Sequence, residues 1–493
     1  VLDSPRNKHE GAPWLRPACS THMTPLPPFC EVLGRRDDPE IQRLFFKRLN
    51  KQTRSNLTRR KKRAEEELYN LGITFTVYFG DDTVDRVLPF DVIPRPITAE
   101  DWADLEKGVK QRIAALNAFL HDIYHDQKIL KDGVVPEDLV TGNQYYLDEM
   151  KGVDVPHRNY VHICGTDMIR DVDGSFLVLE DNCRAPSGVS YVIENRHLMQ
   201  RSFPDLMENA KVRPVSDYGL RLREKLTECA PKGVDDPKIV LLTPGMFNSA
   251  YFEHVFLARE MGVPLVEGRD LYVDENDEVF MTTVSGPEPV HVIYRRIDDA
   301  FLDPEVFRKE SMLGTPGLMR AMKSGKVTIA NAPGTGVADD KAVYAYMPEI
   351  VRYYLGEEPI LKNVKTYLCR RKEDRKYVLD NLADLVVKPV GESGGYGIVV
   401  GPKSTKAERD EVGRAIRRDP NNYIAQPMIT LSASPTLTSE GVAPRHVDLR
   451  PFAVTGKDTW ILPGGLTRVA MKKGSIIVNS SQGGGSKDTW VLS

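Results

Sequence analysis

The chain has 493 residues, 41% hydrophobic and 28% charged, with 67 Lys and Arg against 70 Asp and Glu for a formal net charge of −3. That length exceeds one ordinary core and implies two to three domains, while the near-balanced charge argues against a nucleic-acid or membrane partner. No run of about eighteen apolar residues occurs, which excludes a transmembrane helix, and six cysteines without a CxxC pair suit a reducing cytoplasm.

Residues 1–34 are proline-rich, lack a basic-then-apolar layout and read as a disordered leader. From about Asp38 to Leu71 helical periodicity holds, and the basic run Arg59 to Arg63 is balanced by Glu65, Glu66 and Glu67, as on a solvated helix face. Gly72 to Gly80 alternates like a strand, and the following PFDVIPRPIT reads as loop. Thr98, ahead of Glu100 and Asp101, opens a helix whose Leu105, Val109, Ile113, Leu116, Leu120 and Ile123 form one apolar stripe. Arg112 on this helix could reach a phosphate or a substrate carboxylate; an ordinary salt bridge is the plainer reading.

The stretch from Gly165 to Ser190 carries the first chemistry. Asp171-Val172-Asp173-Gly174 is a turn signal between two apolar runs, which predicts a β-hairpin. Alternation puts Glu180 and Asn182 on one side of the second strand, and Asp167 enters from the first. Three hard oxygen side chains then meet where the loop Pro186-Ser187-Gly188 begins, a set suited to Mg²⁺ carried on nucleotide phosphates. Taken alone, the same residues fit a surface hairpin with solvated acids. Cys164 and Cys183 flank this hairpin as a pair of buried thiols.

Tyr191 to Asn209 predicts a helix, and Pro231 to Pro237 a linker into a strand-helix alternation that implies a mostly parallel sheet. Ligands lie beyond the strand ends of such sheets, so Asn248, Glu253, Glu267, Arg269, Arg295 and Arg296 are substrate candidates. Arg295 and Arg296 are adjacent on one strand, and at most one can face a given cleft. Lys341, after NAPGTGVADD, reads by itself as pairing with Asp339 or Asp340 at a helix start.

Farther on, the apolar run to Lys388 and Pro389 leads into Gly391-Glu392-Ser393-Gly394-Gly395-Tyr396-Gly397 and a second apolar run. Glycine lets backbone N–H groups approach phosphate oxygens, and a strand lysine adds a point charge. A strand on both sides argues against a Walker loop or a Rossmann fingerprint, each of which opens a helix. The segment fits a flap over a nucleotide, or a plain tight turn. Tyr423 to Ile429 predicts an edge strand with Pro427, and the Ser/Thr-rich Ser432 to Gly441 a mobile loop. The glycine-rich tail around Gln482 has the composition of frayed linker.

Asp167, Glu180 and Asn182 on a hairpin, with Lys388-Pro389 and a glycine-rich flap elsewhere, resemble the ATP-grasp fold of carboxylate–amine ligases. The hairpin precedes the lysines, the reverse of the usual order, so the chain resembles circularly permuted ATP-grasp proteins of type 2, labelled glutathionylspermidine synthase-like. The likeness runs from about Arg35 to the end, through LEDNCRAPSGVSY, TPGMFNSAYFEH, VIYRRIDDAFLDP, VVKPVGESGGYG and NSSQGGGSKDTW. It implies an α/β fold divided as leader (1–34), first part of the ATP-grasp lobe (35–230), pre-ATP-grasp-like α/β domain (231–340), lid with flap (341–430) and second part of the lobe (431–493).

The same likeness implies that Lys341 and Lys388 hold ATP phosphates, and that the flap residues Gly391, Ser393, Gly394, Gly395, Tyr396 and Gly397 cover them. Gln426 and Met428 would meet adenine at the hinge, Gln426 standing where an acidic residue often stands. Asp167, Glu180 and Asn182 would hold Mg²⁺. Asn479 would lie beside the phosphates, and Gln482, Gly483 and Gly484 near an acyl-acceptor pocket. Many relatives carry an arginine where this chain has Gly165, so Arg184, Arg450 or Arg468 would neutralise the transition state. The implied activity is an ADP-forming ligase acting on a carboxylate and an amine through an acyl phosphate, with ATP and Mg²⁺ as cofactors and a homo-oligomer left open. A phosphoryl transferase and a catalytically silent ATP-binding scaffold are the rivals.

Overall fold

The computed structural model describes residues 28–32, 52–79, 82–207, 211–390, 397–475, 478 and 483–493. Helix α1 (Arg54–Asn70) is capped by Thr53, which accepts a hydrogen bond from the Asn56 amide. The part of the expected helix before residue 52 lies outside the described residues. A hairpin of β1 (Thr74–Phe79) and β2 (Asp82–Val87) follows. Helix α2 (Ala99–Tyr124) begins where expected, with Thr98 accepting from the Asp101 amide, and its apolar stripe is buried.

A seven-stranded sheet organises the molecule. Its order is β13 (Lys362–Asn363), β5 (Phe176–Asn182), β4 (Ile163–Arg170), β20 (Arg450–Thr455), β21 (Thr459–Val469), β22 (Gly485–Val491) and β3 (Phe90–Ile97). The acidic hairpin β4–β5 therefore pairs antiparallel with a strand nearly 300 residues later, Phe452 opposite Gly165. Strands from 90–182 and from 450–491 thus build one sheet. Helix α3 (Val189–Ser202) packs on β21 and β22.

Two segments read as loop are strands. PFDVIPRPIT forms β3, wholly buried and parallel to β22. Its prolines are tolerated because it is the edge strand, where a missing N–H breaks no second ladder. Ser432 to Gly441 is likewise no mobile loop: β18 (Ala433–Thr438) pairs with β19 (Gly441–His446), and Ser432, Ser434 and Thr436 are buried. Within the expected leader, Phe29, Glu31 and Val32 are buried; Glu31 pairs with buried Arg95 of β3 at 2.7 Å. Residues 1–27 lie outside the described ones.

The α/β unit is as expected a parallel sheet, ordered β12 (Thr328–Ala330), β11 (Val292–Arg295), β6 (Ile239–Leu242) and β7 (Leu265–Val266). The run VPLVEGRDLYV splits, however, and its end becomes β8 (Leu271–Val273) of a separate antiparallel sheet with β9 (Val279–Thr283) and β10 (Gly286–Val290). The lid is a four-stranded antiparallel sheet, β14 (Tyr367–Leu368), β17 (Tyr423–Pro427), β15 (Leu385–Pro389) and β16 (Val399–Val400), with a small core including Cys369, Val378, Val387 and Ile416. Helix α4 (Lys341–Tyr344) and β13, which precede this sheet in the chain, pack on the main sheet.

Candidate functional site

On β4–β5, Gly165 faces Asn182, Asp167 faces Glu180, and Ile169 faces Leu177, with a register shift between Asp167 and Met168. Directly opposed residues share a face. The β-bulge therefore brings Leu177, Glu180 and Asn182 onto the face that carries Asp167, which plain alternation along β5 would not do for Leu177. Thr166 and Asp181 point to the rear.

Asp167 is the most enclosed of the acids. Both its oxygens accept from Arg450, Oδ2 at 2.9 Å from Nη2, and Oδ2 also accepts from Arg468 Nη2 at 2.7 Å. Burial would raise this carboxyl, but Arg450 and Arg468 outweigh it and hold the acid below the ordinary range. Arg468 is itself gripped by buried Asp448, with Nε 3.0 Å from both oxygens. Of the three arginines expected to neutralise a transition state, Arg450 and Arg468 thus converge on Asp167, while Arg184 pairs elsewhere. Arg184 Nε donates to Asp339 at 2.7 Å, Nη1 donates to Asp298 at 3.2 Å, and the guanidinium lies over the Tyr145 ring.

Glu180 is half-buried and stands 4.0 Å from Lys341. Lys388, on β15, donates to Gln426 Oε1 at 2.7 Å, while Gln426 Nε2 donates to Thr366 Oγ1 at 3.0 Å. Burial lowers Lys388 below the usual lysine range; Glu180 opposes this and Lys341 reinforces it. Glu180, Lys341 and Asp167 thus all lie near enough to act on the charge of Lys388, although their sequence positions span more than 200 residues. Asp339 is lifted to about 6 by burial despite the pull of Arg184.

Met428 follows β17 and lines a cavity of about 510 Å³ with Pro427, Ile429, Val364, Lys365 and Leu177. Leu177 and Asn182 are about 16 Å apart along an extended strand. The cavity and the charged cluster therefore occupy successive stretches of the hairpin's front. The flap joins β15 to β16 as the sequence predicts; Gly391, Ser393, Gly394, Gly395 and Tyr396 lie outside the described residues, and Gly397 is left-handed at φ 70°. Asn479 and Gln482 also lie outside them. Gly483 is exposed and left-handed at φ 89°, and Gly484 is buried.

The substrate candidates on the parallel sheet need correction. Arg295 is interior: Nε donates to Asn331 O at 2.7 Å, Nη1 donates to Ile297 O at 2.8 Å, and Nη2 sits 2.6 Å from Asp299. Arg296 points the other way, as adjacent strand positions must, but it too is buried, donating to Pro186 O at 2.7 Å, Ser187 Oγ at 2.6 Å and Glu253 Oε1 at 3.0 Å. Burying a guanidinium is costly unless its N–H groups are satisfied within the protein; Arg295 meets that condition at all three nitrogens, and Arg296 meets it at Nη1 and Nη2 while its Nε is left without a partner. Asn248 accepts from the Ala250 amide, and Glu267 caps a short turn and pairs with Arg269 at 3.0 Å; both stay half-exposed.

Two supporting residues have partners far away in sequence. Glu253 Oε2 accepts from the Gly188 amide at 2.7 Å and from Ser190 Oγ at 2.7 Å, fixing the loop after the hairpin. Asn331 Oδ1 accepts from the amides of His162 and Ile163, both at 2.7 Å, and its Nδ2 donates to Ile163 O, Cys183 O and Arg184 O at 2.6, 2.7 and 3.2 Å. One amide therefore pins both hairpin ends to the parallel sheet. Glu253 stood among the strand-end candidates, but no local signal marks Asn331.

The donor set suits a hard cation. Asn182 Nδ2 donates to Gly165 O at 3.0 Å, which aims Oδ1 the other way, and Glu180 is half-buried beside it. A carboxylate and an amide oxygen suffice for Mg²⁺, which keeps waters and phosphate oxygens as its other ligands. Asp167 is committed to two guanidiniums, so Glu180 and Asn182 would be the more open ligands for such a cation. Among the described residues no group of three or more His, Cys, Asp or Glu could hold a metal by itself.

A hairpin of acids under a lysine-bearing antiparallel lid, beside a parallel α/β unit, defines the ATP-grasp fold. The chain belongs to the circularly permuted ATP-grasp type 2 family, whose family model matches residues 94–470. An uncharacterized Synechocystis protein is 55% identical over 430 residues, 87% of this chain and 89% of its own. An uncharacterized Mycobacterium tuberculosis protein is 53% identical over 422 residues, 85% of this chain and 76% of its own. A Frankia casuarinae protein provisionally named glutamate–cysteine ligase 2-2 is 44% identical over 87% of this chain, which spans only 49% of that protein. Among solved structures, a glutathione synthetase-like effector from Globodera pallida shares the fold at a TM-score of 0.56 and 12% identity, over 90% of this chain and 98% of its own.

Proposed function

We propose that the chain is an ATP-dependent ligase joining a carboxylate to an amine, with release of ADP and phosphate. The observation that carries this is the Lys341–Glu180 pair, 4.0 Å apart on the front of the hairpin, with Lys388 near enough to feel the charges of Glu180, Lys341 and Asp167. Adenine would enter the cavity by Met428 and Leu177, with the triphosphate running along the hairpin toward Asn182. Mg²⁺, held by Glu180 and Asn182 with Asp167 near, would offset phosphate charge. Lys341 and Lys388 bind and orient the terminal phosphate, and the flap excludes water. Such catalysis is chiefly positioning and charge neutralisation, and needs no protein nucleophile.

Arg450 and Arg468 are the arginines best disposed to meet the anionic transition state, because they already converge on the hairpin. The relatives' names that mention glutamate–cysteine ligase and glutathione synthetase favour amino-acid or short peptide substrates. ADP and phosphate release across pooled acids, amino acids, peptides and polyamines tests the reading. Wild type releases both only when an acid and an amine are supplied together, and Glu180→Ala abolishes release. ADP release that needs no amine, with the phosphoryl group retained on the acid and no inorganic phosphate freed, would instead support a phosphoryl transferase.

A further inference from the structure

We propose that Arg112 is a positioning residue for the phosphate-binding groups, setting Asp167, Glu180 and Lys341 relative to one another from behind the hairpin. The inference rests on the nucleotide reading of the cleft. Arg112 projects from α2 and is buried. Its Nε donates to Asp181 Oδ1 at 3.2 Å, Nη2 to Asp181 Oδ2 at 2.5 Å, and Nη1 to Asn363 Oδ1 at 2.8 Å. Two arms of the fork reach Asp181, and the third reaches Asn363 of β13.

Asp181 lies between Glu180 and Asn182, and its carboxylate also accepts from Thr166 Oγ1 at 3.2 Å. Thr166 is the residue before Asp167, so one rear carboxylate links both strands directly behind the acids. Asn363 of β13 passes the connection on, its Nδ2 donating to Tyr344 O at 2.7 Å. Tyr344 ends α4, the helix that Lys341 begins. Its hydroxyl returns to β5 by donating to Val178 O.

Why a rear clamp is needed follows from the bulge. The β4–β5 ladder shifts register between Asp167 and Met168, at the point where the acids stand. A bulge interrupts the regular pairing that would otherwise fix which residues oppose each other. The planar guanidinium supplies that restraint, because it demands bidentate alignment of Asp181 while its third arm fixes Asn363. Lysine keeps the charge but cannot reproduce the fork. A buried ion pair of this kind adds little net stability, so placement is its main contribution.

The test uses Arg112→Lys and, as a milder second variant, Asn363→Ala, which cuts only the link to α4. ATP binding is titrated calorimetrically with and without Mg²⁺, alongside thermal melting. The clamp predicts a loss of MgATP affinity on the order of tenfold for Arg112→Lys, as for residues that orient ligand groups. A several-fold loss is expected for Asn363→Ala, and the gain in affinity that Mg²⁺ confers on wild type shrinks in both. A merely structural role would lower the melting temperature and leave the Mg²⁺ gain intact. If Arg112→Lys fails to fold, Asn363→Ala decides alone. Wild-type affinity and wild-type Mg²⁺ gain in the folded variants overturn the proposal; a wild type that binds no ATP overturns the reading of the cleft and this proposal with it.

Discussion

Asn331 offers the sharpest mutational test of how the hairpin is held. Replacing it with alanine strips partners from the buried amides of His162 and Ile163 and from the carbonyls of Ile163, Cys183 and Arg184. Each buried donor left unsatisfied costs about 1–3 kcal/mol, so the two amides alone bring the loss to about 4 kcal/mol. Asn331→Asp is nearly isosteric, yet it sets a carboxylate oxygen against three carbonyl oxygens where the amide donated. It is therefore the more damaging change, despite keeping the acceptor. Hydrogen–deuterium exchange of the peptide spanning 160–170 reads the effect locally: about 4 kcal/mol corresponds to roughly a thousandfold faster exchange, if opening there is local. Acceleration below tenfold in both variants, or a milder effect of aspartate than of alanine, would refute the clamp.

Gln426→Glu gives Lys388 an anionic partner in place of a neutral one 2.7 Å away. It is expected to weaken ATP binding about tenfold, because phosphate must then compete with a charge-assisted hydrogen bond; a titration with ATP measures it. Asp339 carries a carboxyl raised to about 6, so the folded state holds its proton more tightly than the unfolded one does. Stability should fall by about 3 kcal/mol as pH rises from about 4 through about 6, and Asp339→Asn should remove that slope in urea melts. Cys164, Cys183, Cys229 and Cys369 are free and buried. The Cys164 hydrogen bond and burial raise Cys183, and burial lifts Cys229 and Cys369 to about 12. At pH 8, alkylation of these thiols in the native protein should run at least about a hundredfold slower than in urea.

The hairpin, α2 and the parallel sheet were legible because their signals are local: a DVDG turn, a Thr98 cap with an apolar stripe, and β-branched runs alternating with helices. Lys341 and Lys388 could be singled out through the family resemblance; Lys341 stands 4.0 Å from Glu180, and Lys388 donates to Gln426. What failed was inference from composition. Pro94 and Pro96 suggested a loop, yet an edge strand tolerates them; Ser432, Ser434 and Thr436 suggested mobility, yet their backbone pairs and their side chains are buried. Arginines misled for a different reason. Nothing adjacent to Arg295 or Arg296 shows whether a guanidinium will meet a ligand or, as here, Asn331 O and Glu253. The clamps Asn331, Asp448 and Arg112 act through partners 20 to more than 250 residues away, beyond any sequence window.

An acyl phosphate leaves a mark that no other reading of this cleft leaves. When an acid that supports turnover is labelled with ¹⁸O in its carboxylate, the account predicts one labelled oxygen in each inorganic phosphate released. Amide formation with unlabelled phosphate would contradict it.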